Sequence, residues 1–271
     1  MNHEMMFVAA RSLALCSLLT GAGVAHAQTS EQAPATEAVQ TAAADLPDGF
    51  ELFEKFIDVV GGKATLDKIE TMRINGLVPI PGMGEADLLI EMAAPAKMAV
   101  VVELPNNFGV IEQGTDGDVA WQSAMPNAPA QVVEGPQADM LKGQARFRDE
   151  YQPRKTYASA KTLGKETFEG AEVYRVELTR NDDGTVSNGL FSVETGLRVA
   201  DLLKTTPEAA TFDMTVKIGD YREVKMGDEG TVLVAHEIVS SSPMGSQTIT
   251  FTNVQINPEI EDGTFDPPGS F

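Results

Sequence analysis

Cysteine, histidine and tryptophan are scarce in this chain: its 271 residues include one cysteine, three histidines and one tryptophan. Cys16 lies in a weakly charged, then apolar N-terminal stretch that ends in Ala25-His26-Ala27, a pattern typical of a cleaved secretory signal. We predict a signal peptide over residues 1–27. We predict no lipid on Cys16, because Leu15 stands where a lipidation motif needs a small residue. The mature chain would contain no cysteine, so its fold would rest on its core rather than on disulfides.

The shortage of histidine excludes several kinds of catalytic and metal site. Cleavage after Ala27 leaves only His236, so neither a His/Cys zinc site nor a Cys-His nucleophile pair can form. His236 could serve a Ser-His-Asp arrangement, but no G-x-S-x-G motif is present. The acidic turns at 182–184 and 228–230 lack calcium-loop spacing. We predict no metal, no cofactor and no enzyme activity. A hydrolase that uses only carboxylates stays open, because carboxylates are abundant.

Positive charge is also scarce, with 20 basic against 40 acidic residues and a net charge of −20. Such a surface repels nucleic-acid phosphates and anionic lipid head groups. We therefore predict no nucleic-acid binding, no peripheral membrane binding through basic charge, and a monomer. No apolar run approaches the roughly 18 to 20 residues that a membrane-spanning helix needs, so an exported, soluble protein is expected.

The apolar spacing predicts helices followed by a sheet. Residues 28–47 have no apolar periodicity and are predicted to be a disordered leader. Phe50, Phe53, Phe56, Ile57 and Val60 follow helical spacing up to a Gly-Gly stop, and a second short turn carries Leu66 and Ile69. After residue 71 apolar residues alternate, which indicates antiparallel strands. A third helix is predicted over residues 137–151 as a lid over the sheet, and strands resume after it.

The only tryptophan follows a strong turn signal in GTDGDVAW. Asp116-Gly117 favours a two-residue hairpin turn, which would place Trp121 opposite Glu112, whereas a bulge would place it opposite Ile111. We predict that Trp121 faces the apolar interior, where its neighbour is either a ligand or ordinary core.

About ten strands with one apolar face predict a single domain over residues 48–271, mainly β, in which a large antiparallel sheet curls. Taken in order, FEKFIDVVGGKATLDKIETMRINGLVPIPGMGEADLLIEMAAPAKM, GTDGDVAW, VYRVELT, LFSVETGLRV and DYREV resemble outer-membrane lipoprotein-sorting proteins of the LolA/LolB-like fold. The resemblance implies an incomplete β-barrel whose concave face is covered by helices, with a cavity for acyl chains. It also implies a periplasmic location and a basic residue near the cavity mouth. Arg73, Arg146 and Arg148 are available for that role, and no motif selects among them.

The sequence and this resemblance together predict a non-catalytic carrier for a hydrophobic ligand, either a lipid or the acyl chain of a lipoprotein. The alternative is a cell-envelope sensor or scaffold that binds protein partners through the same fold. Methionine suits an adaptable apolar surface, and several predicted inward positions carry it. The predicted cavity residues are Met72, Ile74, Leu88, Ile90, Met92, Met98, Val100, Trp121, Met140, Phe147, Phe212 and Met214.

Overall fold

The computed structural model describes residues 46–205 and 212–267. The predicted signal peptide, and the predicted leader apart from its last two residues, lie outside the described residues. The helices are α1 (Gly49–Val59), α2 (Lys63–Leu66), α3 (Pro136–Gln144) and α4 (Pro153–Thr156).

One antiparallel sheet contains all thirteen strands of the described part of the chain. The strands are β1 (Thr71–Ile80), β2 (Gly84–Ala93), β3 (Lys97–Leu104), β4 (Gly109–Thr115), β5 (Ala120–Ser123), β6 (Ala130–Val133), β7 (Tyr157–Phe168), β8 (Ala171–Arg180), β9 (Val186–Ser192), β10 (Arg198–Thr205), β11 (Phe212–Lys225), β12 (Thr231–Ser242) and β13 (Gly245–Ile256). Their spatial order is β6-β5-β4-β3-β2-β1-β13-β12-β11-β10-β9-β8-β7. Because β6 and β7 do not pair, the sheet stays open. The predicted fold class is confirmed, with three more strands than expected.

Helix α1 covers one face of this sheet, as its spacing predicts. Asp48 caps its N-terminus by accepting a 2.9 Å hydrogen bond from the Phe50 amide, and the helix ends before Gly61 and Gly62, whose φ angles are positive. The apolar stripe of α1 is buried, which contributes about 1.5–3 kcal/mol for each large side chain. Gly49 lies so close to β7 that a Cβ there would come within 2.5 Å of the Ala160 carbonyl oxygen.

The prediction of one continuous third helix is wrong. The segment forms α3, a 3-10 helix over Phe147–Tyr151 and then α4. Arg146 has non-helical backbone angles. Next to it, Arg148 donates to the Ile69 carbonyl at 2.6 Å and 2.9 Å and so fixes the break against the chain after α2.

Candidate functional site

The face of the sheet that the helices cover, which we call the inner face, carries seven of the predicted cavity residues on β1, β2 and β3. Across the three strands Met72 pairs with Met92 and Met92 with Met98, while Ile74 pairs with Ile90 and Ile90 with Val100. Leu88 lies one step further along β2 on the same face. All seven side chains are buried. The alternation of β1 to β3 therefore assembles one continuous apolar surface, as predicted.

The other predicted cavity residues are spread around this surface. Phe147 is buried in the same core, and Met140 is half-buried on α3. Met214 pairs with the buried Leu203 and packs half-buried at the rim of the core. Phe212 begins β11, and its side chain lies outside the described part of the structure.

The inner face is closed at its centre on β2 and β3. Ile90, Met92, Met98 and Val100 each have 0% exposed surface, so no water-sized space adjoins them. The phenyl ring of Phe53 on α1 stacks edge-on against Phe191 of β9, with 4.9 Å between ring centroids. Sheet and helix residues form one continuous cluster. A ligand could therefore reach this surface only by replacing contacts between helices and sheet.

An ion pair is buried in the same interior, at the β10 end. Arg198 and Asp201 are 1% and 0% exposed, and the guanidinium donates to Asp201 Oδ1 through both Nε and an Nη. The guanidinium carbon also lies 5.3 Å from the ring centroid of Phe53 and 5.7 Å from that of Phe191, a cation–π arrangement. The pair thus lies directly under α1.

Burial controls the protonation of this ion pair. It raises the pKa of Asp201 to about 6, although the nearby Arg198 favours the ionised carboxylate. Asp201 Oδ2 has no hydrogen-bond partner among the described residues. The Tyr221 hydroxyl donates to the Arg198 carbonyl at 2.7 Å, and burial raises the pKa of that hydroxyl, so it stays a donor. Asp201 Oδ2 is therefore a buried acceptor available to a polar group that enters the interior.

None of the three arginines considered for the cavity mouth takes part in this buried ion pair. Arg73 pairs with Glu91 at 2.7 Å and donates to the Glu259 carbonyl. Arg148 pairs with Glu70 and binds the chain after α2, and Arg146 is exposed. Sequence reasoning missed Arg198, because the run RVADLL gives no sign that both of its charged residues point inward.

The prediction that Trp121 faces the inner surface is wrong. Trp121 pairs with Gly114 and Gly114 with Ala99, whereas the inner face carries Met98, so the indole lies on the opposite, outer face. There the indole Nε1 donates to the Phe265 carbonyl at 3.0 Å, and the ring lies across Gly114, where a Cβ would come within 2.5 Å of it. The C-terminal segment thus supplies the acceptor that a buried indole needs.

The hairpin itself is confirmed, but its central residues are displaced by one, so Trp121 pairs with Gly114 and not with Glu112 or Ile111 as predicted. The Asp116 amide donates to the Val119 carbonyl at 3.2 Å, so Gly117 and Asp118 form the tip. Of these two tip residues, only Gly117 has a positive φ, of 104°. Asp116 Oδ1 accepts from the amides of residues 118 and 119, which makes Asp116 a turn residue.

His236 is buried in β12, and its Nδ1 lies 2.8 Å from the Val234 carbonyl oxygen. Within residues 46–205 and 212–267, no cluster of three or more His, Cys, Asp or Glu side chains is placed to hold a metal ion. In those same ranges, no helix is both long enough and apolar enough to cross a bilayer.

Solved structures share this fold at low sequence identity. A LolA superfamily protein from Nitrosomonas europaea is 12% identical with a TM-score of 0.53, over 81% of this chain and 98% of that one. A DUF1329 family protein from Desulfovibrio piger is 11% identical with a TM-score of 0.55, over 82% and 98%. An outer membrane lipoprotein-sorting protein domain from Vibrio parahaemolyticus is 12% identical with a TM-score of 0.51, over 81% and 97%.

No protein-family model and no curated protein matches this sequence. The likeness to solved structures shows the fold, and the chain has the LolA-like fold.

Proposed function

We propose that this protein is a non-catalytic carrier for a hydrophobic ligand, the acyl chain of a lipid or of a lipoprotein, bound between the inner face and its helices. The observation that carries the proposal is the continuous apolar surface of β1, β2 and β3 beneath a cover of short helices. The fold is also that of a solved outer membrane lipoprotein-sorting domain. The predicted signal peptide supports a periplasmic location, with residues 48–271 acting as a single carrier domain.

The energetics of acyl burial suit such a carrier. Each buried methylene group contributes about 0.8 kcal/mol, so a long acyl chain offers roughly 10 kcal/mol before ordering and association costs. Part of this free energy is spent on separating the helix cover from the sheet, because the side chains at the centre of the inner face are fully covered. Binding is therefore expected to be reversible and coupled to movement of the cover.

The contacts of α1 suggest which part of the cover moves. Its N-terminus packs against β7 at Gly49, and its C-terminus is held by one bond of 2.9 Å from the Leu233 amide to the Val60 carbonyl. Between these ends Phe53 and Phe56 pack on Phe191, the Arg198 guanidinium lies against the Phe53 ring, and Glu54 pairs with Arg154 of α4. The ring contacts with Phe191 are non-directional and can be replaced by an acyl chain.

Native mass spectrometry of protein purified from the periplasm without detergent tests the proposal directly. A stoichiometric mass adduct, released by solvent and identified as a lipid, is the expected result. Titration with the fluorescent fatty acid cis-parinaric acid should then show saturable binding. A clean mass without adduct, together with no uptake of cis-parinaric acid, would contradict the carrier function.

A matched pair of substitutions locates the binding surface. Met214→Arg puts a charge at the half-buried rim of the inner face, and Met244→Arg puts the same charge at a position that is 79% exposed on the β12–β13 hairpin. Met214→Arg should weaken cis-parinaric acid binding at least tenfold, because an acyl chain would have to pass the charge. Met244→Arg should leave binding unchanged. Equal effects of the two variants would place the fatty acid elsewhere.

A further inference from the structure

The sheet forks between β12 and β13. These strands pair only from Glu237 with Thr250 to Ser242 with Gly245. Beyond that point, within the described part of the chain, Phe251 and residues 253–256 of β13 pair only with β1, and residues 231–235 of β12 pair only with β11. The two strands therefore separate while each keeps its other neighbour.

The β12 branch of the fork is directed toward the helices. The Leu233 amide, which would face β13 in a continuous sheet, instead donates to the Val60 carbonyl at the end of α1. A Cβ on Gly61 would come within 2.9 Å of the Val232 side chain, so the branch packs closely on the turn after α1. Packing against the helix end thus holds the fork open.

A cavity of about 470 Å³ occupies the fork. Five consecutive residues of β13, 252–256, border it, together with residues 222–225 of β11 and His236. Consecutive side chains of a strand point to opposite faces. A cavity that touches five of them in a row therefore faces the edge of β13, where alternate residues present backbone N–H and C=O groups without a strand partner among the described residues.

The side chains around this edge are more basic than the rest of the molecule. Arg222, Lys225 and His236 line the cavity, with Glu223 as its acidic member, in a chain of net charge −20. Arg222 pairs with Asp220. Lys225 is exposed and forms no ion pair with a carboxylate of the described residues.

We propose that the fork is a docking site for an extended acidic peptide segment of a partner protein, which adds a strand to the free edge of β13. The unpaired backbone groups of residues 252–256 supply the main-chain hydrogen bonds of such a strand. Lys225, which forms no ion pair with a described carboxylate, lies beside it and attracts acidic side chains, while Arg222 can exchange its Asp220 partner for a carboxylate of the peptide. None of the predicted cavity residues lies on the edge of β13, so this inference does not depend on the carrier function.

Binding of a defined peptide to the full mature protein tests the proposal. The probe is a nine-residue peptide of alternating glutamate and valine, acetylated and amidated, with its dissociation constant measured by calorimetry. Hydrogen exchange on the same complex should show slowed exchange at those amides of residues 252–256 that point away from β1. A peptide with the same side chains but N-methylated at alternate residues cannot form the ladder and should bind at least tenfold more weakly.

Charge reversal gives the matched control. The double variant Arg222→Glu, Lys225→Glu should weaken binding of the glutamate peptide at least tenfold and strengthen binding of an alternating lysine and valine peptide. Lys161→Glu, Lys165→Glu makes the same change of charge on the edge strand β7 and should leave both affinities unchanged.

Three results would overturn the proposal. If both double variants lost the same affinity for the glutamate peptide, the peptide would be attracted to the protein non-specifically or would bind at β7. Equal binding of the N-methylated peptide would exclude strand addition. Absence of any binding at millimolar peptide would exclude the docking site, whatever the outcome of the fatty-acid experiments.

Discussion

Arg198 and Asp201 are three residues apart on β10, yet their side chains meet on the inner face. In a regular strand, residues three apart point to opposite faces. Here the register with β9 shifts between Arg198 and Ala200, so an extra residue in β10 returns Arg198 to the inner side. The bulge thus creates a buried ion pair that a simple alternating pattern would separate.

Removing one member of this pair should destabilise the protein strongly. Asp201→Ala leaves the Arg198 guanidinium buried without its carboxylate, so we expect the free energy of unfolding to fall by about 3–5 kcal/mol. The double variant Arg198→Met, Asp201→Leu buries no charge and should lie within about 1 kcal/mol of the wild type, or above it. Urea unfolding followed by circular dichroism measures both. If the double variant were as unstable as Asp201→Ala, the ion pair would stabilise the fold by more than the neutralisation of one buried charge by the other.

The same carboxylate should give the protein an unusual pH dependence. Burial raises the pKa of Asp201 from 3.8 to about 6, so between these values the folded state binds the proton more tightly than the unfolded state does. Its contribution to stability is therefore fully present below about pH 4 and is lost as the pH rises to about 6, by roughly 2–3 kcal/mol. The free energy of unfolding of the wild type minus that of Asp201→Asn, measured from pH 4 to 7, should show this fall. A flat difference would contradict the raised pKa.

The sequence allowed correct predictions where burial alone sets the pattern. The helical spacing of Phe50 to Val60 predicts α1, and the alternation in β1 and β2 predicts the inner face, because one side of each element is buried throughout. Prediction from the sequence failed where the orientation of a side chain depends on residues that are distant in the chain or on a bulge. Trp121 turns outward because the C-terminal segment supplies the Phe265 carbonyl, and Arg198 turns inward because of a bulge; neither has a local signal.

Because Trp121 packs directly on Gly114, replacing this glycine by a larger residue should destabilise the protein. A Cβ at position 114 would come within 2.5 Å of the indole and 2.6 Å of the Met98 carbonyl oxygen, so Gly114→Ala should cost about 1–3 kcal/mol. Gly164→Ala on β7 is the control, because no atom lies within 4 Å of its added Cβ. Thermal unfolding distinguishes the two, and equal melting temperatures would contradict the packing of the indole on Gly114.

Trp121 fluorescence should report on the C-terminal segment rather than on the interior. Truncation after Pro258 removes the Phe265 carbonyl that accepts from the indole and exposes a side chain that is now 3% exposed. We expect a red shift of emission on truncation and no shift when cis-parinaric acid is added, apart from quenching by energy transfer. Lys97→Ala, which removes the side chain whose ammonium group lies over the Phe265 ring, should leave the emission maximum unchanged. A truncated protein with unshifted emission would mean that the segment does not cover the indole.

Gly49 offers a way to separate the carrier function from stability. The added methyl group of Gly49→Ala would come within 2.5 Å of the Ala160 carbonyl oxygen and 2.8 Å of the Val176 side chain, so the N-terminal end of α1 must move away from β7. If α1 is the moving cover, this displacement already supplies part of the separation that a ligand requires. Gly49→Ala should therefore bind cis-parinaric acid faster than the wild type in stopped-flow experiments, although it is less stable by about 1–3 kcal/mol.

Glu51→Ala, an exposed change on the same helix, should alter neither rate nor stability appreciably. Faster unfolding of Gly49→Ala without faster uptake would show that ligand enters by another route than under α1.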